Sequence, residues 1–377
     1  MVSQSRARRR EREDEQIVME EVASKAAANS SYPYNQSIGK ALRAGAGFSR
    51  EPGIPDNRSI AEIGVSVAEY TQGLGIKPFA DTFRAGLPLP ATLDPHLEEA
   101  LRHVLDHHGS LVRPLMVYQV ALAFGLDEDR AKDLAVALEY FHTASLLFDD
   151  LPCMDDASER RGVPCVHLAY GEAGAILAAL ALINRAYALI WKAAAGSSPS
   201  CQARALAYIE QRLGVEGLLN GQSLDLHYSA LPHNRETTER IAKGKTVSLI
   251  RLTLVLAAML GDAAAREIQM LERISMYWGL SYQMVDDLKD VLDSSAAAGK
   301  TVARDALLDH PNIAAAAGIP AAVERLTRYI RLGDRALGLL VQSRPAMSFL
   351  KRLRGSLESE LIRVIERSCE PAIGDLS

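Results

Sequence analysis

Residues 146–161 read LLFDDLPCMDDASERR. The acids Asp149, Asp150 and Asp155 follow directly on an apolar run at helical spacing, Leu134, Leu138, Phe141 and Phe148, which predicts a buried helix ending in carboxylates. Unpaired carboxylates at the mouth of an apolar wall repel one another and are costly unless a cation neutralises them. A hard divalent metal is the natural partner. Arg160 and Arg161 bring two guanidinium forks to the same place, and such forks suit phosphate oxygens. Taken alone, the same residues also describe a solvated acidic turn with two surface arginines.

A second acidic cluster changes that balance. Gln283, Asp286, Asp287 and Asp290 follow another apolar helical run, Ile274, Tyr277, Trp278, Leu280 and Tyr282. Asp286 and Asp290 are four residues apart, so both point from one helix face. Two such faces turned toward each other would hold Mg²⁺ through a few carboxylates, water and substrate phosphate, the usual manner for that ion.

The rest of the chain supports a helical setting. With 377 residues, of which 48% are hydrophobic, it is long enough to bury a large core. Helical periods run through residues 97–107, 111–124, 130–149, 173–192, 201–228, 235–260, 263–292, 321–340 and 348–367, and strand-like alternation is absent. The breaks carry turn residues, among them Gly125, Gly162, Pro164, Gly196, Pro199, Pro232 and Gly299. The expected fold is all-α: a single large helical bundle around a central cavity, over residues 91–377. Residues 1–90, rich in Ser, Gly, Pro and charge, form a partly disordered extension in this reading, with one apolar helix pattern near residues 60–70.

A net charge of −5 gives no reason to expect nucleic acid as a partner, and the arginines near the N-terminus are offset by Glu11, Glu13, Asp14 and Glu15. No apolar run reaches the roughly 18 uncharged residues of a spanning helix, since Arg185 interrupts the longest candidate. The expectation is a soluble, cytoplasmic protein with no membrane span. Cys153, Cys165, Cys201 and Cys369 show no metal-ligand or disulfide spacing and suit a reducing compartment.

The motif DDLPCMDD followed by RR, and later YQMVDDLKD, resemble the two aspartate-rich motifs of the trans-polyprenyl diphosphate synthases, in the bacterial branch with four residues between the aspartates. The likeness spans roughly residues 95–316. It implies an isoprenoid synthase-like fold and a homodimer. It also implies three Mg²⁺ ions per active site, held by Asp149, Asp155, Asp286 and Asp290, with Asp150 and Asp287 among the catalytic acids. Arg113, His142 and Arg161 would hold isopentenyl diphosphate. Arg160, Lys245, Thr246 and Gln283 would hold an allylic diphosphate, and Lys300 would lie in a loop closing on the metals; Lys245 would share the charge of the leaving group. On residue type alone His142 also reads as a core histidine, and Lys243-Gly244-Lys245-Thr246 lacks the Gly-rich loop of a nucleotide P-loop. Gly221, Gln222 and Asp225 resemble the family's GQxxDL segment.

Two departures stand out. Where the family has Gly-Gly-Lys-Arg-x-Arg-Pro, the chain has His108-Gly109-Ser110-Leu111-Val112-Arg113-Pro114, so Ser110 and Leu111 replace two cations. His107 and His108 are near enough to substitute in part, although a mostly neutral imidazole is a weaker diphosphate ligand. The family's basic C-terminal end is missing as well. Ala144 stands five residues before Asp149, about 7.5 Å along a helix at roughly 1.5 Å per residue. A bulky aromatic at this place stops chain growth early in the family, so the small Ala144 and Ser145 imply a product near C20, geranylgeranyl diphosphate. The implied activity is therefore a short-chain prenyl diphosphate synthase. Two alternatives share the motifs: a terpene synthase that ionises a prenyl diphosphate without isopentenyl diphosphate, and a non-catalytic partner subunit of a true synthase.

Overall fold

The computed structural model describes residues 76–261, 263–297, 311–352 and 354. The expected pattern at residues 60–70, most of the 1–90 extension, Lys300 and Cys369 lie outside the described residues. The chain divides into two compact units: unit I, Val65–Gly214 and Leu249–Glu272, and unit II, Met1–Gly64, Val215–Ser248 and Arg273–Ser377. Residues 91–377, expected as one all-α domain, run through both units, and their described elements are helices apart from one short hairpin.

Unit I opens with α1 (Ile76–Ala85), inside the stretch read as an extension. Phe83 is fully buried, and its carbonyl accepts the Tyr140 hydroxyl at 2.6 Å, so this part of the extension belongs to the folded unit. α2 (Pro95–Asp106) starts where the Asp94 carboxylate accepts the His96 and Leu97 amides, with Pro95 in the first turn, where its missing N–H costs nothing. α3 (Val112–Ala123) and α4 (Glu128–Asp149) follow, the latter capped by Asp127, which accepts the Arg130 amide at 2.9 Å. Glu128 and Asp129 in the first turn of α4 complement its dipole. α4 buries most of its residues from Ala131 to Leu147, which explains why the run read as a wall.

A two-residue hairpin, β1 (Glu159–Arg160) and β2 (Val163–Pro164), separates α4 from α5 (Val166–Ala194). It is the only sheet among the described residues and is too short to leave an alternation in the sequence. Its loop, Arg161 and Gly162, has φ of 59° and 79°. Positive φ at both central residues is the turn geometry that matches strand twist, and Arg161 is the uncommon non-glycine there. α5 packs along α4 and α2, buries Ala175, Ala178, Ala179, Leu182 and Ala186, and bends at Gly171. By length and composition α5 could cross a membrane, which the sequence reading had not found; its most apolar 18-residue window is 39% buried. The unit closes with α6 (Pro199–Leu213), the π-helical turn Leu252–Leu256 and α10 (Ala257–Leu260).

Unit II holds α7 (Leu218–Leu226), α8 (Arg235–Ala242) and a π-helical turn, Lys243–Val247, which leads into α9 (Ser248–Arg251). The period read over residues 235–260 is thus one nearly continuous helical run with two widened turns. α11 (Ala265–Ala297) enters unit II at Arg273, followed by α12 (Ile313–Ala317) and α13 (Ile319–Ser343). Met284, Val285, Leu288 and Val291 of α11 pack with Ile313, Ile319, Ala322, Val323 and Leu326. Glu239 of α8 accepts Arg325 at 2.8 Å and the Tyr329 hydroxyl at 3.0 Å, tying α8 to α13.

Candidate active site

In unit I the acids stand at the C-terminal end of α4, where unpaired carbonyls already concentrate negative charge, so the position favours cations. Asp149 is the last helical residue and Asp150 the cap. The chain then folds back sharply, with Asp156 at φ 48° and its amide donating to the Leu151 carbonyl at 3.1 Å. The Asp155 amide donates to the Asp149 carbonyl at 2.9 Å, which brings the first and last acids of the motif together. Asp149 is half-buried and Asp155 exposed.

Asp150 is turned inward and is 2% exposed. Arg160 Nε donates to its Oδ1 at 3.0 Å, and a second, shorter bond runs from Arg160 Nη2. Burial, together with the charge of the Asp150 carboxylate, pushes the buried Cys165 thiol up to about 11. Arg160, placed on β1, therefore has an internal partner, which raises its own affinity for a proton further.

Arg161 at the hairpin tip lies against the 107–109 backbone. Its Nη1 donates to the His107 carbonyl at 3.2 Å, and a Cβ built on Gly109 would come within 2.8 Å of Nη2. A side chain at position 109 would push that guanidinium aside. Leu111, the N-cap of α3, adopts φ 55° and is 1% exposed, while Ser110 is exposed. The two departures from the family pattern thus differ in kind: one side chain is sealed in the core and the other faces solvent. Arg113 Nη1 sits 3.6 Å from Oε2 of Glu139, a residue that sequence reasoning missed. An acid in the apolar ALEYFH run was the available signal. His142 follows one turn later; burial first, then the charges of Arg113, Arg161 and Arg160, hold its pKa well below the ordinary value. It is neutral at pH 7, and its buried Nδ1 has no hydrogen-bond partner among the described residues. Ala144 is buried, whereas Ser145 is half-buried and its hydroxyl donates to the His142 carbonyl at 2.8 Å.

In unit II, Lys245 and Thr246 project from the π-helical turn. A Cβ on Gly221 would lie 2.4 Å from the Lys245 nitrogen, and one on Gly244 would lie 2.6 Å from the Gly221 Cα. Here α7 and the turn meet backbone to backbone, which fixes where the two side chains start. Lys245 Nζ donates to Asp225 Oδ2 at 2.7 Å. The Thr246 hydroxyl donates to Gln283 Oε1 at 2.7 Å, and Gln283 Nε2 donates to Asp287 Oδ1 at 2.9 Å. Asp287, 2% exposed, also accepts the Ile313 amide on Oδ2 at 2.6 Å. Burial pushes the Asp287 carboxyl up to about 7, offset in part by those two bonds. Asp286 and Asp290 remain toward solvent, Asp286 with Lys289 at 3.9 Å.

Among the described residues no group of three or more His, Cys, Asp or Glu side chains converges within one site on a metal-binding point. The donors available are pairs of accessible carboxylates, Asp149 with Asp155 and Asp286 with Asp290. That set fits Mg²⁺, which keeps several waters and takes substrate phosphate as a further ligand, and does not fit a zinc-type cage.

Residues 94–330 match the family described as Polyprenyl synthetase. The chain is 38% identical over 218 residues to a chloroplastic geranylgeranyl pyrophosphate synthase of Capsicum annuum, covering 57% of this chain and 59% of that protein. It is 36% identical to the large subunit 1 of a chloroplastic heterodimeric geranylgeranyl pyrophosphate synthase of Arabidopsis thaliana, covering 67% and 70%. Among solved structures, an FPP/GFPP synthase from Zymomonas mobilis superposes with a TM-score of 0.65 at 25% identity, over 78% of this chain and 98% of that one. A geranyltranstransferase from Thermotoga maritima gives 0.61 at 26% identity, over 76% and 98%. The chain spans about three fifths of the length of the pepper relative it matches. The matched span takes in both acidic motifs, the Arg113 segment and the Lys245 turn, and the chain belongs to the polyprenyl synthetase family.

Proposed function

We propose that the chain is a Mg²⁺-dependent prenyltransferase that joins isopentenyl diphosphate to an allylic prenyl diphosphate, giving a product of about C20, geranylgeranyl diphosphate. The observation that carries this reading is the return of Asp155 onto Asp149 at the end of α4, beside the arginine pair on the hairpin. Asp149, Asp155, Asp286 and Asp290 would hold Mg²⁺, three ions in the family's arrangement, and bound metal would supply Lewis-acid stabilisation of the leaving diphosphate.

The chain's own residues do the rest. Arg160 and Lys245, with Lys300, bind the allylic diphosphate as its C–O bond breaks and the electron pair stays on oxygen; fixed cations are strongest where charge develops. Thr246 and Gln283 orient the same group. Arg113, His142 and Arg161 hold isopentenyl diphosphate so that its double bond attacks the allylic cation. The new C–C bond forms, and the proton then lost passes to the departing diphosphate. Ala144 and Ser145 leave room for the growing tail, and apolar helix faces keep water from the cation.

Leu168, Ile176, Leu177, Leu180, Tyr187 and Trp191 stand exposed on α5. An apolar face of that kind supports a homodimer built on α5 rather than a membrane span. The cytoplasm is the proposed compartment. A terpene synthase remains the second reading, favoured by one feature: Ser110 stands where the family has Lys, so that cation is missing. Turnover assays with isopentenyl diphosphate present or omitted separate the two. Growth to a longer diphosphate supports the prenyltransferase; a hydrocarbon or alcohol made from the allylic diphosphate alone supports the terpene synthase.

A further inference from the structure

Glu139 occupies a place where an ordinary core would have an aliphatic residue. It is 3% exposed, in a buried α4 segment with Val136, Leu138 and Tyr140 as neighbours in sequence. Its Oε2 has no hydrogen-bond partner among the described residues. Burying an acid without satisfying it is unfavourable, so the side chain needs a compensating interaction. Cations supply it: Arg113 Nη1 lies 3.6 Å away, and the charge of Arg161 also acts on the carboxylate. Burial pushes the Glu139 carboxyl up, and these neighbours pull it back, Arg113 foremost.

The arginines have the converse difficulty. Arg113, Arg161 and Arg160 each carry charge near His142, and like charges gathered together repel one another. A buried carboxylate beside Arg113 relieves that repulsion. We propose that Glu139 is the positioning residue of the isopentenyl diphosphate subsite, a shared counter-ion that holds Arg113 and Arg161 ready to receive the diphosphate. This rests on the reading of Arg113, His142 and Arg161 as that subsite. The dependence is sharper here because Ser110 and Leu111 bring no cation and His142 is neutral, which leaves the two arginines as its fixed charges.

Glu139→Gln keeps size and shape while removing the charge. The expected result is a rise of about tenfold in KM for isopentenyl diphosphate, a free-energy change of about 1.4 kcal/mol, with kcat and the KM for the allylic diphosphate within about twofold. A merely structural role would alter thermal stability and leave that split unmoved. Should Glu139→Gln fail to fold, Glu139→Asp withdraws the charge by one methylene and carries the same test, with a rise of about threefold. An unchanged KM overturns the proposal, and so does a lower one, which would mean that Glu139 competes with the substrate for the arginines. Arg113→Gln separates the two levels: if that change leaves the isopentenyl diphosphate KM alone, the subsite reading itself fails, whereas a raised KM beside an unaffected Glu139→Gln enzyme sinks the counter-ion alone.

Discussion

Asp150 and Asp287 hold the same place in their motifs and are turned the same way. Each is the second acid of an adjacent pair, each is 2% exposed, and each is bonded within its own unit, Asp150 to Arg160 and Asp287 to Gln283 and the Ile313 amide. The neighbours Asp149 and Asp286 stay accessible. Helical geometry imposes the division, since adjacent residues are turned by about 100° from each other and cannot share a face.

Asp149→Asn and Asp286→Asn therefore remove charge from the proposed metal site without touching the packing. Turnover should fall by about a hundredfold or more, the equivalent of roughly 3 kcal/mol of lost charge stabilisation, while the circular dichroism spectrum stays that of the parent. Normal turnover in either variant would show that the metals are held elsewhere.

Asp287 has a pH signature in the metal-free protein. Its carboxyl is raised from 3.8 to about 7 in the fold, so above about pH 7 it is ionised both folded and unfolded and the full burial penalty applies. Between about pH 7 and pH 4 the native state takes up a proton that the unfolded chain does not, and stability from this group rises as pH falls. Asp287→Asn should flatten that part of the Tm profile. Identical slopes for parent and variant would mean that Asp287 is not charged and buried.

Chain length is the third point. Ala144 is 1% exposed, so phenylalanine there must either enter the space proposed for the product tail or overpack the core at about 1 to 3 kcal/mol. The expected outcome of Ala144→Phe is a product of C15 or shorter with little change in Tm. A lowered Tm with the same product would place the tail's limit elsewhere.

Ser110 is exposed and adjoins Gly109, over which Arg161 lies. Ser110→Lys should restore a charge-assisted bond worth roughly 1.5 to 3 kcal/mol and lower the KM for isopentenyl diphosphate by about tenfold or more. No improvement would indicate that the subsite is already complete without that cation. Leu111, packed in the core, is not open to the same repair.

Much of this was legible in the sequence because acids at the end of an apolar helix contradict their surroundings. Asp149, Asp155, Asp286 and Asp290 were singled out from that contradiction, from helical spacing and from the resemblance of the two motifs to the family. Glu139 obeys the same logic but is a single acid, and one residue in an apolar run gives no spacing to read. The inward turn of Asp150 and Asp287 depends on partners brought from the hairpin and from α12, which no local pattern encodes. The hairpin has two residues per strand, and the π-helical turn at Lys243–Val247 accompanies the meeting of Gly221 with Gly244, a tertiary contact. Burial of Phe83 likewise marks α1 as part of unit I, although the surrounding composition reads as an extension.

The most direct test of the central claim is incubation of the protein with labelled isopentenyl diphosphate, an allylic diphosphate and Mg²⁺, with diphosphates and hydrocarbons analysed separately. The expected result is label in a longer prenyl diphosphate, near C20, and none without Mg²⁺. Absence of label from every diphosphate at any substrate concentration, with a volatile product formed from the allylic diphosphate alone, would contradict it.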